Sequence, residues 1–203
     1  MHSDSIDVFR QIRAAYDDDT ITVYQAYSPD IALPAVAAGR FVPPFGLQRM
    51  TWIKPSFLWM MYRSGWATKP GQEHVLAIRM SRTGFEWALT HSCLSHFEEG
   101  TYESHEQWAA RRDATPVRIQ WDPERSLTLQ PLSYRSLQVG LSGEAARRYV
   151  NEWITNITDI TKQVHQIHHL VEANNHPEAL AMLPTEHPYP LPSPIATIIG
   201  ASN

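Results

Sequence analysis

The stretch Arg49-Met-Thr-Trp-Ile-Lys-Pro-Ser-Phe-Leu-Trp-Met-Met-Tyr-Arg-Ser-Gly-Trp66 holds three of the seven Trp and three of the six Met in eighteen positions. Pro55 suits the first turn of a helix, where its missing N–H costs nothing, and Gly65 suits the residue that ends one. Phe57, Leu58, Trp59, Met60, Met61 and Tyr62 leave almost no polar face between them, so this short helix is expected to be buried all round. Arg49, Lys54, Ser56 and Arg63 nonetheless surround it. A helix that starts Lys-Pro-Ser sets free N–H groups and the positive end of its dipole beside a lysine charge, and that combination holds anions. Thr51 to Ser56 therefore reads as the floor of a pocket, and Phe57 to Trp66 as the anchor beneath it.

Working outward, 203 residues fit one domain, or one with an appendage, and suffice for a core without staples. With 43% hydrophobic and 19% charged residues the composition is that of a globular chain. A net charge of −4 gives no general basic footprint for nucleic acid, although a local basic cluster can still bind one. Cys93 is alone, which excludes an internal disulfide, points to a reducing compartment and fits a structural thiol. The start Met-His-Ser-Asp-Ser lacks the regions of a signal peptide, and no apolar run approaches the roughly 20 residues that span a bilayer. A cytoplasmic protein without membrane contact is the expectation.

Apolar residues at helical spacing predict a first helix over Ile6 to Tyr16, followed by a solvated turn at Asp17-Asp-Asp19. Ile21 to Tyr27 reads as a strand, with Gln25 on its apolar face and in need of a partner if buried. Ser28-Pro-Asp30 opens a helix that Gly39 closes, with Pro34 inside it. His74 to Met80 is a strand, Arg82 to His91 a helix, and Glu98 to Arg112 an exposed helix or ordered loop. Strands follow over Pro116 to Trp121, Leu127 to Leu132 and Tyr134 to Leu141, with Asp122-Pro-Glu-Arg125 as a turn. Apolar residues from Tyr149 to Val171 recur at three and four, which predicts one long helix from Ser142 to about Asn174. The expectation is an α+β domain over residues 1–175, built on a mixed or antiparallel sheet of about five or six strands crossed by that helix. Residues 176–203, with six of the fifteen Pro, read as an extended tail.

There is no Walker loop, Gly-rich dinucleotide fingerprint, paired-Cys zinc pattern or nucleophile elbow. His165, His169 and Glu172 share a predicted helix face, but Gln166 stands where the catalytic zinc helix carries Glu. A solvated face is the reading, and no metal is expected. Glu124 reads as a turn carboxylate beside Arg125. Tyr24-Gln-Ala-Tyr27, Lys54-Pro-Ser56 and Arg135-Ser-Leu-Gln-Val-Gly140, with Arg13 and Tyr16 ahead of the first, carry polar groups into apolar surroundings. Converging on one pocket, they suit a nucleotide: amides for a base or carboxamide, Arg and Lys for phosphates, Tyr and Trp for stacking. The alternative is that they satisfy hydrogen bonds within the core.

The run Thr51 to Trp66, with Val23-Tyr-Gln-Ala-Tyr27, Gln120-Trp-Asp-Pro-Glu-Arg125 and Arg135-Ser-Leu-Gln-Val-Gly140, resembles the bacterial and fungal domain-of-unknown-function family 4291. The likeness extends over nearly the whole chain up to about Thr161. That family name carries no chemistry. Tyr24-Gln25-Ala26, followed by Ser-Pro-Asp, a helix and Gly39-Arg-Phe41, is similar to the opening of ADP-ribosyltransferase domains. In those domains a strand bearing Tyr-Arg-Gly or Tyr-His-Gly holds the nicotinamide end of NAD. A Ser-bearing strand-to-helix junction comes second, matching Lys54-Pro55-Ser56, and a late-strand Glu or Gln comes third, matching Gln138 or Glu124. Gln25 stands where those domains carry Arg or His, and the third position has no clear catalytic Glu.

The resemblance implies NAD as a substrate, framed at nicotinamide by Tyr24, Gln25 and Tyr27. Arg13, Arg49 and Lys54 would hold the phosphates, with Tyr16 and Trp52 in the same binding set and Ser56 orienting the ribose. Glu124 or Gln138 would activate the acceptor beside an oxocarbenium-like transition state. The expected activity is transfer of ADP-ribose to a nucleic acid or protein. Two alternatives stand beside it: a non-catalytic nucleotide- or RNA-binding module using the same Arg, Lys and Trp, and an interaction domain that binds a protein partner through its tail and long helix.

Overall fold

The computed structural model describes residues 8–202. In order these form β1 (Arg13–Ala14), β2 (Thr20–Tyr27), α1 (Pro29–Ala38), β3 (Thr51–Ile53), α2 (Phe57–Ser64), β4 (His74–Ser81), α3 (Arg82–Thr90) and β5 (Ser92–Leu94). Then come α4 (His105–Ala114), β6 (Val117–Arg125), β7 (Pro131–Leu141), α5 (Gly143–Arg148), a π-helical turn (Tyr149–Trp153) and β8 (Ile154–Asp159). The chain continues through α6 (Thr161–Glu172), α7 (His176–Ala181), β9 (His187–Pro188) and α8 (Ser193–Ile199).

The architecture is α+β, with two main sheets where one was expected. An antiparallel sheet has the order β2-β4-β8, and a mixed sheet has the order β3-β7-β6-β5, in which β5 runs parallel to β6. Ile21, Val23, Leu76 and Ile78 from the first sheet join Ile53, Val117, Ile119, Val139 and Leu141 from the second in the main core. On the other face of the first sheet, Tyr24 and Val75 pack with Phe57, Met60 and Met61 of α2 and with Val164 and Ile167 of α6. Successive strand residues point to opposite faces, so β2 buries both Val23 and Tyr24 because both of its faces are covered. The sheets touch through one backbone bridge between β2 and the residue after β3: Tyr24 N–H donates to Lys54 O at 2.7 Å, and Lys54 N–H to Tyr24 O at 3.3 Å.

The elements that local chemistry defines stand where expected. α1 ends on Gly39 in the left-handed region (φ 67°) and contains Pro34. α2 starts at the Ser56 cap, whose hydroxyl accepts from Trp59 N–H at 3.1 Å, and ends on Gly65 (φ 60°). It is not buried all round, because Tyr62 and Arg63 face water.

Four expectations are corrected. The helix expected over Ile6 to Tyr16 falls partly outside the described residues, and from Phe9 onward the chain is extended. Its backbone bonds go to distant partners, Phe9 O to Arg135 N–H (2.7 Å) and Ile12 O to Tyr189 N–H (2.8 Å), instead of back along a helix. The three strands expected between 116 and 141 are one hairpin, β6–β7. Asp122 to Arg125 continue β6, and Pro123 is accommodated at a register irregularity between Pro123 and Arg125.

The long helix breaks. After the π turn, β-branched Ile154, Ile157 and Thr158 pair along β4, which offered an unfilled edge, and Thr155 falls at the register shift opposite Arg79 and Met80. α6 then restarts behind Asp159, whose carboxylate accepts from Thr161 N–H at 2.9 Å. The Pro-rich segment is not extended throughout. It folds into α7, β9 and α8, with Pro177 and Pro194 in first helical turns and Tyr189, Ile195 and Ile199 in the main core.

Candidate functional site

The local sequence around the β2–β3 bridge explains why polar groups gather there. The bridge ties the two backbones together at Tyr24 and Lys54, and the neighbouring Gln25 turns its side chain toward β3. Its amide nitrogen donates to Thr51 Oγ1 (2.6 Å), Tyr27 Oη (2.8 Å) and Trp52 O (3.2 Å), and its oxygen accepts from Tyr149 Oη (2.9 Å). Gln25 is only 3% exposed, and these bonds are what make such burial tolerable. Tyr27 Oη and Thr51 Oγ1 lie 2.9 Å apart, completing a hydroxyl–amide network. Burial pushes the Tyr27 phenol up to about 12, so it stays a neutral hydroxyl.

This network borders a cleft of about 600 Å³ lined by Tyr27, Phe45, Arg49, Trp52, Lys54 and Arg63 among others. Phe41 and Phe45 stack at 4.3 Å, and Tyr27 meets both edge-on at 5.5 and 5.8 Å, which stiffens the aromatic wall. Arg49, Lys54 and Arg63 supply three basic groups. Among the described residues none of the three has a carboxylate within ion-pair distance.

Lys54 is the most unusual of them. It is 6% exposed, its Nζ donates to Trp52 O at 3.1 Å, and the Trp59 ring lies 5.3 Å away. Burial brings its ammonium down to about 7, the Arg63 charge adds to the effect, and Asp122 opposes it. Asp122 sits on the same face of the mixed sheet, gripped by two amides: Gln120 Nε2 donates to one oxygen at 2.9 Å and Gln138 Nε2 to the other at 2.6 Å. Gln120 and Gln138 are cross-strand partners, so strand register builds that clamp.

A second polar cluster lies at the N-terminus of α2. Ser56 Oγ donates to Glu124 Oε1 at 2.9 Å, Arg125 N–H donates to the same oxygen at 2.8 Å, and Phe57 N–H donates to Glu186 Oε1 at 2.7 Å. Burial pushes both carboxyls up, Glu186 to about 8; the neighbouring Glu124 charge adds to the rise of Glu186, and the Arg13 guanidinium opposes the rise in both. The helix N-terminus expected to hold an outside anion thus holds the chain's own carboxyl groups.

Of the residues singled out from the sequence, Gln25, Tyr27, Arg49, Trp52 and Lys54 come together on the cleft. Gln25 has both ends of its amide engaged within the protein, so it acts on the cleft by positioning Tyr27 and Thr51. Ser56, Glu124 and Arg13 form the cluster at α2, and Gln138 spends its amide nitrogen on Asp122. Tyr16 lies against β9, its hydroxyl donating to Pro188 O at 2.9 Å. Tyr24 is in the second core with its ring against Phe57 at 5.5 Å.

Sequence reasoning passed over Asp122, Tyr149 and Glu186 as site residues, and it placed Thr51 and Arg63 at the pocket without giving either a role. Alternation along β6 and β7 could have found Asp122, two positions from Gln120; nothing local marks Glu186. Among the described residues no three His, Cys, Asp or Glu are grouped to hold a metal, and no helix is long and apolar enough to cross a membrane. His165 and His169 are exposed, while His168 stacks on Trp66 at 5.2 Å.

A search of curated proteins returned no match. The model of a family described as a domain of unknown function, DUF4291, matches residues 11–189, and the chain belongs to that family.

Proposed function

We propose that the cleft between β2 and β3 binds a nucleotide of the NAD type and that the chain transfers ADP-ribose from it to a nucleic acid or protein acceptor. The observation that carries the reading is a pair of guanidinium groups, Arg49 and Arg63, with no carboxylate within ion-pair distance among the described residues, set with the buried Lys54 amine beside an aromatic wall and a buried amide–hydroxyl network. Cations left unpaired in a cleft suit a diphosphate. Arg49 and Arg63 grip it, and Lys54 becomes charged as the anion arrives, so binding takes up a proton. The nicotinamide end lies against Tyr27 and Phe45, with the Tyr27 and Thr51 hydroxyls facing its carboxamide. Breaking the glycosidic bond leaves neutral nicotinamide and an oxocarbenium-like ribose, which a fixed negative charge stabilises. Asp122 supplies that charge from behind the cleft lining, through its field on the Lys54 side, in preference to Gln138 or Glu124. Its carboxylate is held by two amides on the Lys54 side of the sheet, whereas Glu124 is committed to Ser56.

One observation favours a second reading, a nucleotide-binding module without turnover: no Asp or Glu is among the residues that line the cleft. Incubation with NAD and RNA or protein acceptors, read by mass spectrometry, separates the two. Released nicotinamide with an added ADP-ribose mass supports transfer. Saturable ADP-ribose binding without nicotinamide supports the module, and neither result removes both.

A further inference from the structure

Lys54 has a chemistry that holding a phosphate does not use. Its amine is nine-tenths buried yet lines the cleft, and among the described residues its one hydrogen bond is to Trp52 O. The charged groups around it are Arg63 from α2, which disfavours its protonation, Asp122 from β6, which favours it, and Arg49 on the same cleft wall. We propose that Lys54 captures the carbonyl carbon of a phosphate-bearing aldehyde, such as a ring-opened sugar phosphate, as an imine. The Nζ lone pair forms the C–N bond, one amine proton passes to the carbonyl oxygen to give a carbinolamine, and the second follows as the C–O bond breaks and that oxygen leaves as water; solvent then supplies the proton of the imine nitrogen. No oxidant or reductant is consumed. Arg49 and Arg63 take the phosphate, and Trp52 O accepts from the nitrogen once it is protonated. The cation pair selects the phosphate, and the buried amine supplies a nucleophile that is substantially neutral near pH 7, as buried lysines do. The inference stands on the cleft alone and holds whether or not NAD is the substrate.

The chain has three Lys, and Lys69 and Lys162 are exposed, so they serve as internal controls. The full chain is incubated near pH 7 with ribose 5-phosphate and cyanoborohydride, then digested and mapped. A captured aldehyde adds the mass of the sugar phosphate less one oxygen. An amine titrating near 7 is about a thousandfold richer in its neutral form there than an ordinary lysine, and its lower basicity takes back part of that advantage. Labelling of Lys54 about a hundredfold faster than of Lys69 or Lys162 is therefore expected. It should slow at least about tenfold with ribose in place of ribose 5-phosphate, or in R63A, since each loses a charge-assisted contact. Labelling of Lys54 no faster than of the two surface lysines overturns the proposal, as does labelling indifferent to the phosphate. An adduct without nicotinamide release removes only the NAD reading; nicotinamide release without an adduct removes only this one.

Discussion

Replacing Glu186 by Gln tests the cluster that pins the Pro-rich segment to α2. Gln keeps an oxygen to accept from Phe57 N–H, which now reaches Glu186 at 2.7 Å, but cannot ionise. The folded-state pKa of Glu186 is raised from 4.5 to about 8, chiefly by burial. A raised carboxyl contributes stability that is fully present below its unfolded pKa and is lost as pH rises through the folded one. At about 1.4 kcal/mol per pH unit the ceiling on that loss is roughly 5 kcal/mol. Glu186 keeps part of its surface in water, and screening reduces the expected loss to about 2 kcal/mol. Urea unfolding of both proteins, followed by Trp fluorescence at pH 5 and pH 9, reads the difference directly. Near pH 5 the two should agree within about 0.5 kcal/mol, the usual scatter of a harmless surface change. At pH 9 E186Q should be the more stable by about 2 kcal/mol. A difference that is the same at both pH values would refute the reasoning, because only a titrating group makes it change.

Two further substitutions probe how the cleft is held. A Cβ added at Gly140 would lie 2.5 Å from Met50 Sδ and 2.9 Å from Trp52 Cζ2. The Met can move aside but the indole cannot readily, so Gly140→Ala should cost about 1–3 kcal/mol, visible as a lowered Tm, and weaken ligand binding. Tyr149→Phe removes the donor at 2.9 Å from the Gln25 oxygen. A stranded buried amide oxygen costs about 1–3 kcal/mol by chemical denaturation. An unchanged midpoint would show that water or a rotated amide replaces the bond.

The parts of the fold legible in the sequence are those that local chemistry decides. Ser56 and Gly65 bracket α2 through a side-chain cap and a left-handed residue, and Ile21 to Tyr27 is a strand by its alternation. Gln25 on an apolar face already demanded partners, though not their identity, since Tyr149 lies 124 positions away. The errors have one source: a periodic pattern cannot report what it will meet. Trp153, Ile157, Ile160 and Val164 are spaced for a helix, yet Ile157 became a strand residue because β4 had an open edge. In the site, Arg49, Trp52 and Lys54 were readable from the run Arg49 to Trp66 and Tyr27 from its strand, whereas Phe41 and Phe45 join Tyr27 only through the fold. Glu186 was not readable, because the N–H it caps belongs to a residue 129 positions earlier and only the fold joins them.

The central claim is that the cleft holds a diphosphate-bearing nucleotide through Arg49, Arg63 and a Lys54 that is charged on binding. Calorimetric titration of the wild type and of an R49A/R63A double variant with ADP-ribose, at pH 6 and pH 8, tests it most directly. Saturable binding that weakens from pH 6 to pH 8, takes up a proton at the higher pH and is lost in the double variant is the expected result. Equal affinity in wild type and double variant, or no binding at either pH, would contradict it.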